Sequence, residues 1–208
     1  MYLIADTHKL DNMPKLWSET IETHRKDVTD AIIECAAAQV VKHGLRAVTM
    51  SQIAEDVGIG RATLYKYFPD VEAILVAWHK RHVISHLDQL AVLGERPGDA
   101  RERIATVLEA YALIRYEVAH QNHGADLTML VHSGEHIVGS ENRLRILVGD
   151  LLNEGIRGGL VRNDVAPGEL VAYCLSALGA ASTLPSKAAV GRLVAVTLAG
   201  LSPATQAF

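Results

Sequence analysis

Arg61, Thr63, Tyr65 and Lys66 stand within six residues of one another, between Gly60 and Pro69. Arg46 and Thr49 lie a short way upstream, and Tyr67 follows. Guanidinium and ammonium groups match the oxygens of phosphates and the acceptor edge of guanine, and hydroxyls serve either. The chemistry on offer is recognition by hydrogen bonds. No GxSxG, P-loop or dinucleotide-binding glycine pattern accompanies it, so nothing in the sequence supports catalysis and no cofactor is expected.

The elements that must hold these groups are legible in residues 49–68, TMSQIAEDVGIGRATLYKYF. Thr49 with Gln52 three positions on fits a capping box. Ile53, Ala54 and Val57 give a short apolar stripe at helical spacing, leaving Glu55 and Asp56 for solvent. Gly58 sits where a left-handed residue ends a helix, and Ile59 fills the corner. Gly60 opens a second helix with no side chain in the way of a close backbone approach. Leu64 and Phe68, four apart, form its inward face. Pro69 ends it, and Asp70 is placed to cap the next helix. Two short helices joined in this way form a helix-turn-helix, whose second helix enters the major groove of DNA.

Upstream, residues 26–43 read as a helix with an apolar stripe of Val28, Ala31, Ile32, Cys35, Ala36, Val40 and Val41, closed by Gly44 and Leu45. Downstream, residues 71–93 form a long periodic helix, whose first turn joins the bundle through Ile74, Leu75 and Trp78. Residues 27–75 resemble the N-terminal domain of the TetR family of transcriptional regulators. The resemblance rests on Gly44, Thr49, Ile53, Ala54, Gly58, Ile59, Thr63, Leu64, Tyr65, Tyr67, Phe68 and Glu72. It implies a C-terminal helical domain that binds an effector and dimerises, and release of DNA when the effector changes the spacing of the two reading heads. It also assigns Thr49 and the Gly60 backbone to phosphate, and Arg61, Thr63, Tyr65, Lys66 and Tyr67 to groove or phosphate. Arg61 suits a bidentate guanine contact and Lys66 a phosphate contact. Two positions depart from the family pattern: Val71 stands where many relatives carry a lysine, and Val40 where many carry phenylalanine.

The expected fold is all-α: an N-terminal three-helix helix-turn-helix bundle (25–75) and a C-terminal effector-binding and dimerisation domain (76–208). Residues 1–24 are expected to be disordered or loosely helical, with Met13 an alternative start. The chain of 208 residues is 49% hydrophobic and 21% charged, as a globular protein is. Its net charge of −4 is unusual for a DNA binder. Residues 15–82 hold nine Lys/Arg and nine Asp/Glu, residues 83–208 hold ten and thirteen, and residues 1–14 contribute −1. The positive face must therefore be local: Arg25, Lys26, Arg46, Arg61 and Lys66. Arg25 and Lys26 precede the expected first helix and read as a flexible arm.

Further helices are expected near 100–121, 125–133, 139–157, 167–183 and 187–201. The last two, ELVAYCLSALGAAS and AAVGRLVAVTLAGL, are rich in small residues that permit close helix approach and are expected to form a four-helix homodimer interface. An effector pocket among the preceding helices would be lined by Trp78, His82, Tyr111, Tyr116, Met129 and His132. His79, His82 and His86, His120 and His123, and His132 and His136 fall at helical spacing, but with no cysteine nearby and no HExxH they read as solvated or hydrogen-bonded residues, and no metal is expected. Cys35 and Cys174 read as buried small hydrophobes in a reducing cytoplasm. No apolar run approaches membrane-spanning length.

These features imply a regulator that binds a palindromic operator in double-stranded DNA as a dimer and is released by an unknown small molecule. An activator or effector-independent regulator of the same fold is the alternative. A small-molecule carrier or a helical interaction module represents other classes, and the polar face at Arg61–Lys66 argues against the module, which would present apolar anchors.

Overall fold

The computed structural model describes residues 15–120 and 135–203. Among these residues every regular element is helical. The helices are α1 (Lys15–His43), α2 (Met50–Val57), α3 (Arg61–Tyr67), α4 (Val71–Gly94), α5 (Ala100–His120), α6 (Glu135–Arg157), α7 (Pro167–Gly179) and α8 (Lys187–Gly200). Short 3-10 turns occupy Leu45–Ala47 and Ala180–Thr183. The chain divides into two compact units, with the division after Trp78, inside α4.

α1 begins at Lys15, well before the expected residue 26. Residues 21–27 are exposed on every side, so no apolar stripe marks that part of the helix in the sequence. Arg25 and Lys26 therefore lie within α1 and are not an arm preceding it. The buried face of α1 also differs from the one read from periodicity. Ile32, Ile33, Ala36, Ala37 and Val40 are buried, whereas Ala31 and Val41 face solvent. Val48, Met50, Ile53, Ala54, Leu64, Ile74 and Leu75 complete the core of the first unit. Val40 is 1% exposed and fills its site in that core.

The second unit has its own core, drawn from α4 through α8, with Leu90, Val107, Leu108, Ala112, Leu152, Cys174, Leu178 and Val190 nearly or fully inaccessible. Gly155 allows α6 to pack closely: a Cβ there would stand 2.6 Å from Val161 Cγ2 and 3.1 Å from Ile104 Cδ1. The α6–α7 connection is tied to the end of α8 by Arg162. Its backbone N–H donates to Leu201 O at 2.9 Å, and its guanidinium donates to Gly200 O at 3.2 Å and to both Asp164 oxygens. Such contacts satisfy carbonyls that a helix C-terminus leaves unpaired.

Candidate nucleic-acid interface

The interface is built on two caps and a turn. Thr49 is the N-cap of α2, and its hydroxyl accepts from Gln52 N–H at 3.3 Å. The same hydroxyl donates to Gln52 Oε1 at 2.8 Å. The box expected at TMSQ thus closes side chain to side chain, without Gln52 reaching the Thr49 backbone. With its single proton directed to Gln52, Thr49 reaches a phosphate oxygen only by giving up that bond.

α2 ends at Gly58, which adopts φ 74° and ψ 30°, a left-handed conformation that costs glycine least. Gly58 N–H donates to Glu55 O at 3.1 Å and Ile59 N–H to Ala54 O at 3.0 Å, the paired bonds of a Schellman ending. The chain turns there, and Gly60 becomes the N-cap of α3 with its carbonyl accepting from Thr63 and Leu64 N–H. Leu64 is fully buried and Phe68 half-buried, as the inward face requires. Asp70 Oδ1 accepts from Ala73 N–H at 2.8 Å and starts α4.

Arg61, Thr63 and Lys66 are exposed, Tyr65 is 50% exposed and Tyr67 half-buried. Arg46, in the 3-10 turn before α2, and Thr49 are exposed as well. Ion pairs join Arg103 to Glu154, Arg143 to Asp88, Arg162 to Asp164 and Lys187 to Glu117. All four lie in the second unit, so Arg46, Arg61 and Lys66 are not drawn into them.

Gln39 is a feature that sequence reasoning missed. It is 8% exposed on α1, and its Nε2 donates to Asp56 Oδ2 at 2.8 Å. Asp56 is exposed, as expected, and through this bond also ties α2 to α1. Cys35 is half-buried rather than buried, and Gln39 Nε2 also points at its Sγ at 3.7 Å. Burial raises the Cys35 thiol pKa, nearby Asp56 raises it further, and the Gln39 contact opposes both. Cys174 is buried, and its thiol is pushed up to about 12 by that burial, so it is an inert packing residue.

Four of the expected effector-pocket residues, Trp78, His82, Tyr111 and Tyr116, are among the described residues. Trp78 belongs to the first unit, and His82, Tyr111 and Tyr116 to the second. Tyr111 and Tyr116 pack, half-buried, against the second core, and Tyr116 stacks on His120 at 4.1 Å between ring centroids. His82 meets His86 edge-on at 6.4 Å. Burial lowers the His86 pKa, His82 lowers it further, and Glu117 opposes them. Met129 and His132, with the helix expected at 125–133, lie outside the described residues.

Two clefts in the second unit are lined by other residues. One, of 540 Å³, lies between the end of α4, the start of α5 and α6, with Gly94, Arg103, Asp150, Glu154 and Arg157 in its wall. There Arg103 Nη1 donates to Gly94 O at 3.3 Å and Nη2 pairs with Glu154, while Nε is buried without a partner. The other, of 680 Å³, follows α4 past Ile84, Asp88 and Val92. Neither wall contains an expected pocket residue, and Tyr111 and Tyr116 pack against the core instead. No group of three or more metal-binding side chains suited to an ion occurs among the described residues.

The geometry defines a helix-turn-helix unit followed by a separate all-helical unit. Residues 32–78 match the model of the bacterial regulatory proteins of the tetR family, and residues 106–203 match the C-terminal domain of SbtR-like transcriptional regulators. The chain belongs to the TetR family of transcriptional regulators. It is 33% identical over 116 residues to an uncharacterised helix-turn-helix-type regulator of Mycobacterium bovis, covering 56% of each chain. It is 31% identical over 137 residues to the regulator BetI of Brucella anthropi, covering 65% of this chain and 64% of BetI. The matched stretch thus spans little more than half the length of the M. bovis relative. A TetR/AcrR regulator of Thermobifida fusca has the same fold, with a TM-score of 0.72 at 22% identity over 84% of this chain and 98% of its own. The ketosteroid regulator KstR2 of Mycobacterium tuberculosis superposes with a TM-score of 0.54 at 20% identity, over 84% and 94%.

Proposed function

We propose that this protein is a sequence-specific DNA-binding repressor that acts as a homodimer on a palindromic operator and is released by a small-molecule effector. The observation that carries the reading is α3. It buries Leu64 and turns Arg61, Thr63, Tyr65 and Lys66 outward. Arg61, near the N-terminus of α3, reads a base edge. Lys66, in its last turn, Arg46 and the Gly60 backbone hold phosphates, and Thr63, Tyr65 and Tyr67 line the approach. Thr49 joins them once its hydroxyl leaves Gln52.

Dimerisation through α7 and α8 fits their outward residues. Ala172, Ser176, Ala188, Gly191, Ala195 and Val196 are exposed, and Val196 is 66% so. The effector belongs to the second unit, and its identity follows from no residue described above. Among the described residues no helix is long and apolar enough to cross a membrane, and a DNA-reading role places the protein in the cytoplasm.

Binding of purified protein to its mapped genomic sites tests the reading. Arg61→Ala relaxes base preference at a cost of about 1–3 kcal/mol. Lys66→Ala weakens every site alike and flattens the salt slope by about one unit. Unchanged discrimination in the Arg61 variant removes the role assigned to that residue.

A further inference from the structure

We infer that Ala62 reads a thymine, by contact of its methyl group with the C5 methyl of the base. The inference rests on the DNA-reading role proposed for α3. Ala62 is exposed, and its direction follows from that of Leu64. At 100° per residue, Ala62 and Lys66 stand roughly 160° to either side of Leu64, whereas Arg61 and Tyr67 stand only about 60° away. The crest of α3 is therefore formed by Ala62 in its first turn and Lys66 in its last.

The first turn is the part of a recognition helix that meets base edges. On the floor of the major groove the thymine methyl is the one apolar group, so an exposed methyl on the crest has a single good match among the four bases. Ala62 is also low. Its side chain is a single methyl group between the longer Arg61 and Thr63, so the backbone of α3 can come down until the two methyl groups touch. A larger residue at position 62 would hold the helix away from the bases.

The test uses the full chain and a duplex carrying its strongest mapped genomic site. Each thymine is replaced in turn by deoxyuridine, which lacks only the C5 methyl. Affinities are read by fluorescence anisotropy for the wild type, Ala62→Gly and Ala62→Val, with thermal unfolding as a control for folding. At one thymine in each half-site the replacement weakens the wild type about three- to fivefold, as expected for one lost methyl contact. The same replacement leaves Ala62→Gly unchanged. Ala62→Val, whose bulk projects into solvent in the free protein, keeps its unfolding temperature and loses at least tenfold on the thymine duplex. It recovers part of that loss on deoxyuridine. Tolerance of every replacement by the wild type, or equal losses in the wild type and Ala62→Gly, overturns the contact while leaving DNA reading intact. A wild type that prefers no duplex over competitor DNA overturns the reading of α3 and the contact with it.

Discussion

At the scale of single residues, Gln39 does the least expected work. A glutamine beside Val40 in an apolar stripe carries no sign of its partner, which lies seventeen positions away on α2. Periodicity reports which face is buried but not which buried amide finds which carboxylate. Once the Nε2 of Gln39 is out of water, its bond to Asp56 holds the reading unit together, because a buried polar group left unpaired costs about 1–3 kcal/mol. Asp56→Ala therefore destabilises the first unit by about that amount, and Gln39→Leu, which removes both the polar group and its need for a partner, costs less. Urea unfolding of the two variants measures the difference. Equal stability of Asp56→Ala and wild type would show that the bond contributes nothing. The outward residues of α3 were legible by contrast, because Leu64, Pro69 and the glycines fix its phase and its ends within a few positions.

At the scale of elements, the helices with capping residues at their ends were legible. Thr49, Gly58, Asp70 and Ser186 mark their termini, and Ser186 Oγ accepts from Ala189 N–H at 3.2 Å. The start of α1 was not, since a helix surrounded by solvent has no stripe to read. The close packing at Gly155 was also hidden, because it depends on Ile104 and Val161 arriving from other parts of the chain. Gly155→Ala forces Val161 to move and costs about 1–3 kcal/mol. Gly168→Ala, where a Cβ meets nothing within 4 Å, carries no such penalty. Thermal unfolding separates the two variants, and equal melting temperatures would mean that α6 has room to spare.

At the scale of the whole molecule, the two units have different chemistry. Four ion pairs stud the second unit, and the cations of α3 and of the turn before α2 stay turned outward. The clefts of the second unit were the least legible part of the sequence. The wall of the 540 Å³ cleft joins Arg103 to Glu154, fifty-one residues apart, and no local pattern announces such a meeting. The dimer interface proposed for α7 and α8 lends itself to a direct test. Ala195→Glu places a carboxylate on the exposed face of α8, and an unpaired charge buried between subunits costs several kcal/mol. Light scattering after size exclusion then gives half the mass of the wild type, and operator binding falls with it. A variant that stays dimeric moves the interface off that face of α8.

Gly60 has one more consequence. Its φ of −66° suits any residue, and the space around it is open. The fold has no need of a glycine there, which fits the proposed approach of its backbone to a phosphate. Mutations at such a place escape the filter of folding stability, and selection sees only their effect on binding. A substitution at position 60 thus leaves the fold as it is and, in the role proposed for the Gly60 backbone at a phosphate, changes how firmly every site is held without changing which sequence is read.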